Sequence, residues 1–216
     1  MIHNINISFS NCGFDKPYHI EESDDSEIHL TIGMDQIVSG QSRGKTIEQL
    51  EKQIQKELSR ISWLIYGDVF IDISWYFSCK EKRATDKVGD LDNITKPLLD
   101  SFCGPDGFMI DDCQVKGLYT CWRSKFPEGS ALDTVQVDVR FSNSECLSKR
   151  NLVFVPVKEP LYVAIDESSA IVQKIFSESE RRKIGFIDSY PSIPYEIVDK
   201  GVFHKTRIQA FRSKIL

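Results

Sequence analysis

The stretch DKVGDLDNITKPLLDSFCGPDGFMIDDCQVKG, residues 86–117, is the most informative part of this 216-residue chain. It begins with an Asp-x-Asp pair, Asp90 and Asp92, and ends with the adjacent pair Asp111 and Asp112. A short apolar segment and a turn of glycine and proline separate the two pairs. Because like charges repel, so many carboxylates around one compact unit need a physical explanation.

The segment after the first pair is predicted to be a helix. Its buried stripe consists of apolar residues at helical spacing: Ile94, Leu98, Leu99 and Phe102. Since proline is tolerated only in about the first turn, Pro97 predicts a start close to Asn93, capped by Asn93 or Asp92. In an extended chain Asp90 and Asp92 point to the same side, and Lys96 follows Asp92 by one helical turn.

The lengths of two chain segments predict where the second pair lies. A helix over residues 93–103 is about 16 Å long at 1.5 Å per residue. The GPDG turn reverses the chain, and residues 108–112 span about 16 Å if they are extended. The second Asp pair therefore returns beside the first. Only one of Asp111 and Asp112 is expected to face the cluster, because neighbours in a strand point to opposite sides.

The converging carboxylates predict a metal site. Three carboxylates in one place repel one another unless a cation neutralises them. Hard oxygen ligands select Mg²⁺ or Mn²⁺ over zinc. A metal of this kind lowers the pKa of its water, orients a phosphate and stabilises a leaving oxygen, which suits phosphodiester hydrolysis. Lys96 would offset negative charge in the transition state.

Other interpretations of the Asp-x-Asp pair and Lys96 compete with the metal site. An isolated Asp-x-Asp is common in solvated turns, and Lys96 with Asp100 would form an ordinary i,i+4 pair. An EF-hand loop does not fit, since Ile94 takes a ligand position and Thr95 the position of the required glycine. A sugar-nucleotide transferase can use Asp-x-Asp with Mn²⁺, but no nucleotide-binding β-α-β unit is recognisable around the pair.

Composition and charge are those of an ordinary globular protein, with 41% hydrophobic and 27% charged residues. The net charge of −5 argues against a generally basic nucleic-acid binder, but the charge is uneven. Residues 1–144 carry −8 and residues 145–216 carry +3. The positive charge of residues 145–216 is compatible with contact to phosphate.

The cysteines and the apolar runs predict the cellular compartment. None of the six cysteines forms a C-x-x-C pair, so reduced, buried thiols are expected rather than disulfides or zinc ligands. They are Cys12, Cys79, Cys103, Cys113, Cys121 and Cys146. No apolar run approaches the roughly 20 residues that cross a bilayer, and the N-terminus lacks the pattern of a signal peptide. We expect a cytoplasmic protein with no membrane contact.

Hydrophobic periodicity predicts an α+β fold, with helices packed on a mixed or antiparallel sheet. The predicted order is strand, strand, helix, strand, loop, helix, strand, strand. The first helix opens with a capping box at Thr46, and its apolar spacing continues through Ile65. The last two strands, within residues 113–122 and 134–141, are expected to pair with each other.

Residues 1–144 are predicted to form one domain and residues 145–216 a C-terminal extension. In the extension, residues 151–157 are expected to be a strand, 168–185 a helix and 202–216 a short helix. Its twelve basic residues include Arg181, Arg182, Lys183, Lys205, Arg207, Arg212 and Lys214. The extension either supplies phosphate contacts or docks on the core and extends a dimer, and a helix can do both.

The carboxylate unit resembles the RusA family of Holliday junction resolvases. The shared array is D-x-D-N-x-x-K-x-x-x-D-x-(F/L), then a glycine turn and D-D-x-Q-V. It is formed here by Asp90, Asp92, Asn93, Lys96, Asp100, Phe102, Gly107, Asp111, Asp112, Gln114 and Val115. The resemblance implies that Asp90, Asp92 and Asp112 bind the metal and that Lys96 assists catalysis.

The resemblance also implies a substrate and an assembly. Proteins of this family act as homodimers that cut two strands of a four-way DNA junction symmetrically. The family often has basic residues before its D-x-D, and here these are Lys80, Lys82, Arg83 and Lys87. The expected function is Mg²⁺- or Mn²⁺-dependent cleavage of branched DNA. The alternative is a catalytically weak RusA-like module that binds DNA or a partner.

Overall fold

The structure, a computed structural model, describes residues 5–18, 24–35, 37–42, 44–77, 90–125, 132–167, 170–189 and 201–216. The strands are β1 (Ile5–Ser10), β2 (Asp25–Met34), β3 (Trp63–Ile65), β4 (Val69–Phe77), β5 (Val115–Ser124), β6 (Asp133–Ser142), β7 (Cys146–Ser148), β8 (Leu152–Lys158), β9 (Leu161–Asp166) and β10 (Val202–His204). The α-helices are α1 (Gly44–Leu58), α2 (Leu91–Ser101) and α3 (Ala170–Ser189). This content confirms the predicted α+β class. The basic residues Lys80, Lys82, Arg83 and Lys87, and Cys79, lie outside the described residues.

A five-stranded mixed sheet in the order β1-β2-β6-β4-β5 forms the centre of the fold. Every second residue of β2, β4 and β6 is buried, as the period-2 patterns predicted. These buried residues share one hydrophobic core with apolar residues of α1 and α2. The opposite face of the sheet carries polar side chains, which include His29 between Glu27 and Asp138.

The expected pairing of β5 with β6 is wrong, because β4 lies between them. β6 runs antiparallel to β4, with Ile73 opposite Val137. β5 runs parallel to β4 on its other side, with Ile73 opposite Thr120. A parallel neighbour needs a crossover connection, and the segment that contains α2 provides it. The unit that carries the carboxylates is thus also the connection that determines the strand order.

The first helix is shorter than its apolar spacing predicted. It begins at Gly44 rather than Thr46 and ends at Leu58. Ile65, which continues the spacing, belongs instead to strand β3, where it pairs with Cys146 of β7. The partner strand lies far along the chain, so tertiary pairing overrides the local pattern. This small sheet joins the first predicted domain to the C-terminal extension.

The C-terminal residues form a second layer that packs on the first domain. Strands β8, β9 and β10 make an antiparallel sheet, and α3 packs on β8 and β9. The strand and the long helix of the extension are confirmed, but the predicted final helix is wrong. Residues 202–204 pair with β9 as a strand, and a 3-10 helix, Gln209–Lys214, follows.

A shared apolar cluster, here called the C-terminal cluster, holds this layer in place. Its buried members are Leu64, Ile110, Leu152, Phe154, Tyr162, Ala164, Phe203, Ile208 and Phe211. Leu64 and Ile110 come from the first predicted domain, and the others come from the extension. The packing supports the docking role that the sequence left open.

Several basic side chains in the described part of the extension contact other parts of the protein. Arg181 donates to the carbonyl oxygens of Pro156 and Val157, each at 3.0 Å. Lys205 lies 3.2 Å from Glu159, and Lys214 donates to the carbonyl of Arg150 at 2.8 Å. The extension therefore does not present its whole positive charge to a ligand.

The described cysteines are free thiols, which agrees with the expected reduced state. Cys12, Cys103, Cys121 and Cys146 are partly buried. Cys113, in the short 3-10 helix Asp112–Gln114, is exposed, contrary to expectation. None of the helices in the described part of the chain has the length and apolar character that a bilayer crossing requires.

Lys149 is a partly buried residue with a fully buried Nζ atom, and its removal is expected to stabilise the fold. Within the described residues its Nζ atom has no hydrogen-bond partner, and burial lowers its pKa to about 8, although Asp106 opposes the shift. The unfolded chain keeps this proton up to about pH 10.5, so the folded state bears a cost at pH 7. We expect Lys149→Met to raise the free energy of unfolding at pH 7 by about 2 kcal/mol.

The pH dependence separates this cause from ordinary repacking. Between pH 8 and 10.5 the unfolded wild-type chain binds more protons than the folded one, so its stability rises with pH. The advantage of Lys149→Met is therefore expected to shrink across that interval in urea unfolding experiments. An advantage that is the same at pH 7 and pH 10.5 would contradict the assignment.

Candidate active site

The Asp-x-Asp pair lies across the start of helix α2 rather than in an extended segment. The helix begins at Leu91, two residues earlier than predicted, and Asp90 is its N-cap residue with φ −87° and ψ 162°. Asp92 lies in the first helical turn, where the helix dipole favours a negative charge. Both side chains are exposed, and neither makes a hydrogen bond or ion pair with another described residue. The two carboxylates are thus open to solvent.

Pro97 lies in the interior of α2. The predicted helix start near Asn93, which assumed that Pro97 lies in the first turn, is therefore wrong. The proline has no N–H to offer to the carbonyl four residues earlier, which belongs to Asn93. That carbonyl accepts the backbone N–H of Gly40 at 2.7 Å instead. The buried proline is therefore accommodated because a neighbouring loop supplies the missing donor.

The chain returns from α2 through a compact turn rather than through a regular strand. Gly104 has a φ of +93°, and a Cβ atom on Gly107 would lie 2.0 Å from the carbonyl oxygen of Phe102. Beyond the turn, Met109 forms isolated bridges with Ile65 and with Cys103. The return leg then ends in a 3-10 helix, Asp112–Gln114, so the assumption of alternating side chains does not apply there.

Gln114 fixes the return leg to the rest of the fold. Its buried side-chain oxygen accepts the backbone N–H groups of Ile110 at 2.7 Å and Asp111 at 3.0 Å. Its side-chain nitrogen donates to the carbonyl oxygens of Ile65 at 3.0 Å and Gly67 at 2.8 Å. These four bonds position the backbone directly before Asp112.

Lys96 joins the helix to the return leg. Its Nζ atom lies 2.6 Å from Oδ1 of Asp100 and 2.5 Å from Oδ2 of Asp112. The first contact is the ordinary helical pair considered above, and the second brings the two ends of the unit together. The return leg thus brings Asp112 to Lys96, and its predicted position beside Asp90 and Asp92 stays a prediction.

The two groups keep each other charged. Partial burial disfavours the charge on Lys96, but Asp100 and Asp112 outweigh it and raise the pKa of the ammonium group. Partial burial also disfavours the charge on Asp112, but Lys96 and Arg207 outweigh it and lower the pKa of the carboxyl group. The site thus presents a permanent cation beside a permanent anion.

Arg207, from the C-terminal extension, is a residue of this site that the sequence did not single out. Its Nη1 atom lies 3.1 Å from Oδ1 of Asp111 and 3.3 Å from Oδ1 of Asp112. Asp111 also accepts the backbone N–H of Cys113 at 3.1 Å. Both members of the Asp pair therefore face Arg207, whereas Asp112 alone contacts Lys96. In the sequence Arg207 is one of twelve basic residues of the extension, and no motif distinguishes it.

The donor set fits a hard divalent cation, although the described residues do not converge on one point. Among them, no group of three or more His, Cys, Asp or Glu side chains is arranged to hold a metal ion. Asp90 and Asp92 nevertheless offer exposed carboxylate oxygens at the helix start, and Asp112 is ionised nearby in the unit. Burial, followed by neighbouring carboxylates, raises the pKa of Cys103. This thiol therefore keeps its proton and is a poor ligand.

The fold and the site define a mixed α+β domain whose crossover unit carries Lys96 among six aspartates within residues 90–112. Residues 41–139 match the family model described as endodeoxyribonuclease RusA. The match includes α2, Lys96 and the Asp111–Asp112 pair, and it supports a relation of this region to the RusA family of endonucleases. No curated protein matches the chain.

Proposed function

We propose that this protein is a metal-dependent endonuclease that hydrolyses phosphodiester bonds in branched DNA, with the Holliday junction as its preferred substrate. The contact between Lys96 and Asp112 is the main structural support, because it joins the two halves of the carboxylate unit. The family match adds that the domain is of a nuclease type. The proposal places DNA, rather than a small molecule, at the exposed start of α2.

Each residue of the unit has a proposed task. Asp90, Asp92 and Asp112 would hold Mg²⁺ or Mn²⁺ through carboxylate oxygens. The bound ion would supply a water of lowered pKa and polarise the phosphate. Lys96, whose pKa is raised, keeps its positive charge and is available to offset charge on the phosphate in the transition state. Gln114 keeps the backbone before Asp112 in position through its four hydrogen bonds.

A second candidate function is a RusA-like module that binds DNA or a protein partner with little cleavage. One observation favours it: Lys96 and Arg207 contact different carboxylate oxygens of Asp112. A metal ion at Asp112 has to share those oxygens or displace one cation. If the two cations hold Asp112 too firmly, the site binds phosphate but does not assemble the metal centre.

We also propose a homodimer. Two symmetric cuts in a four-way junction need two active sites related by a two-fold axis, which a closed dimer provides. Light scattering at micromolar concentration is expected to give twice the mass of the 24.8 kDa chain. An active monomer would exclude this assembly.

Cleavage of labelled DNA tests the proposed function. With Mg²⁺ or Mn²⁺ we expect paired nicks at symmetric positions in a four-way junction, much slower cutting of a linear duplex, and no cutting with a chelator. Absence of cleavage of both substrates over full titrations of both metals would remove the enzyme proposal. Junction binding in a gel-shift experiment would then support the binding module.

A further inference from the structure

We infer that Arg207 is a phosphate-contacting residue that the C-terminal extension supplies to the nuclease site. The inference rests on the proposed function and adds a residue outside the part of the chain that matches the RusA family. It assigns a specific task to an extension whose role the sequence left open.

Packing fixes the backbone next to Arg207 and the backbone next to the Asp pair that it contacts. Ile208 is fully buried and Ile110 is 2% exposed, and both belong to the C-terminal cluster. Ile208 directly follows Arg207, and Ile110 directly precedes Asp111. In addition, the backbone N–H of Arg207 donates to the carbonyl of His204 at 2.8 Å. Arg207 and the Asp pair are thus each adjacent in the chain to a buried residue of the same cluster.

The guanidinium group is only partly used by the protein. Nη1 makes both contacts with the Asp pair, whereas Nε and Nη2 have no acceptor in the part of the chain that the structure describes. The side chain is 51% exposed. Nε and Nη2 form a two-donor edge that matches two oxygens of a phosphate. An exposed ion pair adds little to stability, so the contact with the Asp pair alone does not account for this arrangement.

Charge explains why such a residue is useful here. Asp90, Asp92, Asp100, Asp111 and Asp112 lie in the unit, and among the described residues only Lys96 and Arg207 are seen to pair with them. A DNA phosphate that approaches Asp112 is repelled by this excess of negative charge. Arg207 reduces the repulsion next to Asp112 and offers hydrogen bonds to the phosphate. It therefore adds the positive charge that the acidic first domain lacks.

Variants at Arg207 test the inference, with Arg212→Gln as a control that removes the same charge from the same segment. Arg212 is exposed, and no contact of its side chain with another described residue is found. We expect Arg207→Gln to slow single-turnover nicking of a four-way junction by about 10²-fold at saturating Mg²⁺. Arg207→Lys should retain part of the rate, because it keeps the charge but not the two-donor edge. Arg212→Gln should stay within about 2-fold of the wild type.

Mn²⁺ affinity and thermal stability separate the possible roles. Without DNA, Arg207→Gln is expected to bind Mn²⁺ at least as tightly as the wild type in calorimetry, since a competing cation is gone. An unchanged or faster nicking rate in Arg207→Gln would overturn the inference, and a faster rate would identify an inhibitory contact. Equal losses in the Gln and Lys variants that follow a fall in Tm would also overturn it, because they indicate a purely structural role.

DNA affinity distinguishes failure of the inference from failure of the proposed function. If the wild type does not cut DNA at all, the nuclease proposal fails, and Arg207 is judged by junction binding at several salt concentrations. A phosphate contact predicts weaker binding of Arg207→Gln and a salt slope reduced by about one unit. Unchanged affinity and slope would overturn the phosphate contact in that case as well.

Discussion

Replacement of Asp112 by asparagine is expected to lower junction cleavage at least about 10²-fold while the protein stays folded. Asp112 lies at the contact between the return leg and Lys96, and it is one of the three proposed metal ligands. The side chains of Lys96 and Arg207 are more than half exposed. Loss of their contacts with Asp112 should therefore change the free energy of unfolding by at most about 1 kcal/mol. Single-turnover nicking rates and urea unfolding curves measure the two effects separately.

The matched comparison is Asp111→Asn, which removes the neighbouring charge. Asp111 also contacts Arg207 but accepts its remaining bond from the backbone of Cys113, and Lys96 does not reach it. We expect a smaller loss of rate than for Asp112→Asn. Junction binding should survive in both variants, because neutralising an acidic residue does not weaken contact with phosphate. Full activity of Asp112→Asn with loss in Asp111→Asn would mean that the roles of the two residues are exchanged.

The second large effect is expected in the C-terminal cluster. Phe154 on β8 is fully buried, and its ring lies 6.1 Å from that of Phe203 and 5.3 Å from that of Phe211. Phe154→Ala should lower the free energy of unfolding by about 3–5 kcal/mol, since it leaves a cavity among aromatic rings. Cleavage should fall as well, because Ile110 of the same cluster adjoins the Asp pair.

Phe186→Ala is the control for this prediction. Phe186 lies in α3 of the same extension and is 58% exposed, so its removal should change stability by less than about 0.5 kcal/mol. A single unfolding transition that shifts in Phe154→Ala would indicate that the extension and the first domain unfold together. Two transitions, of which only one shifts, would instead favour residues 145–216 as an independent unit.

The strands that face the main core were the part of the fold most accessible from the sequence. In β2, β4 and β6 the buried residues alternate strictly, so burial on one face leaves a period that can be read directly. Strands β3 and β7 have three residues each, which is too short for a period, and they are stable only as partners. Because β3 is too short to show a strand period, its residue Ile65 fits the helical spacing of α1 in the sequence.

Spacing along the sequence indicated the site residues that lie within one short unit, residues 90–112. It did not indicate the contacts that distant segments make with this unit. The approach of the return leg to α2, seen in the contact of Asp112 with Lys96, agrees with the matched lengths of the two segments. The position of Pro97 depends on a donor from Gly40, and the task of Arg207 depends on the C-terminal cluster. Neither contact leaves a pattern in the local sequence, so only the folded chain reveals them.

The initial rate of nicking of a four-way junction as a function of Mg²⁺ concentration, compared between wild type and Asp92→Asn, tests the central claim most directly. Asp92 is exposed, and no described residue contacts its side chain, so the substitution should leave the fold intact. The account predicts a wild-type rate that rises with Mg²⁺ and saturates, and a rate for Asp92→Asn that stays at background throughout. Equal rates for the two proteins, or a wild-type rate that does not depend on the metal, would contradict it.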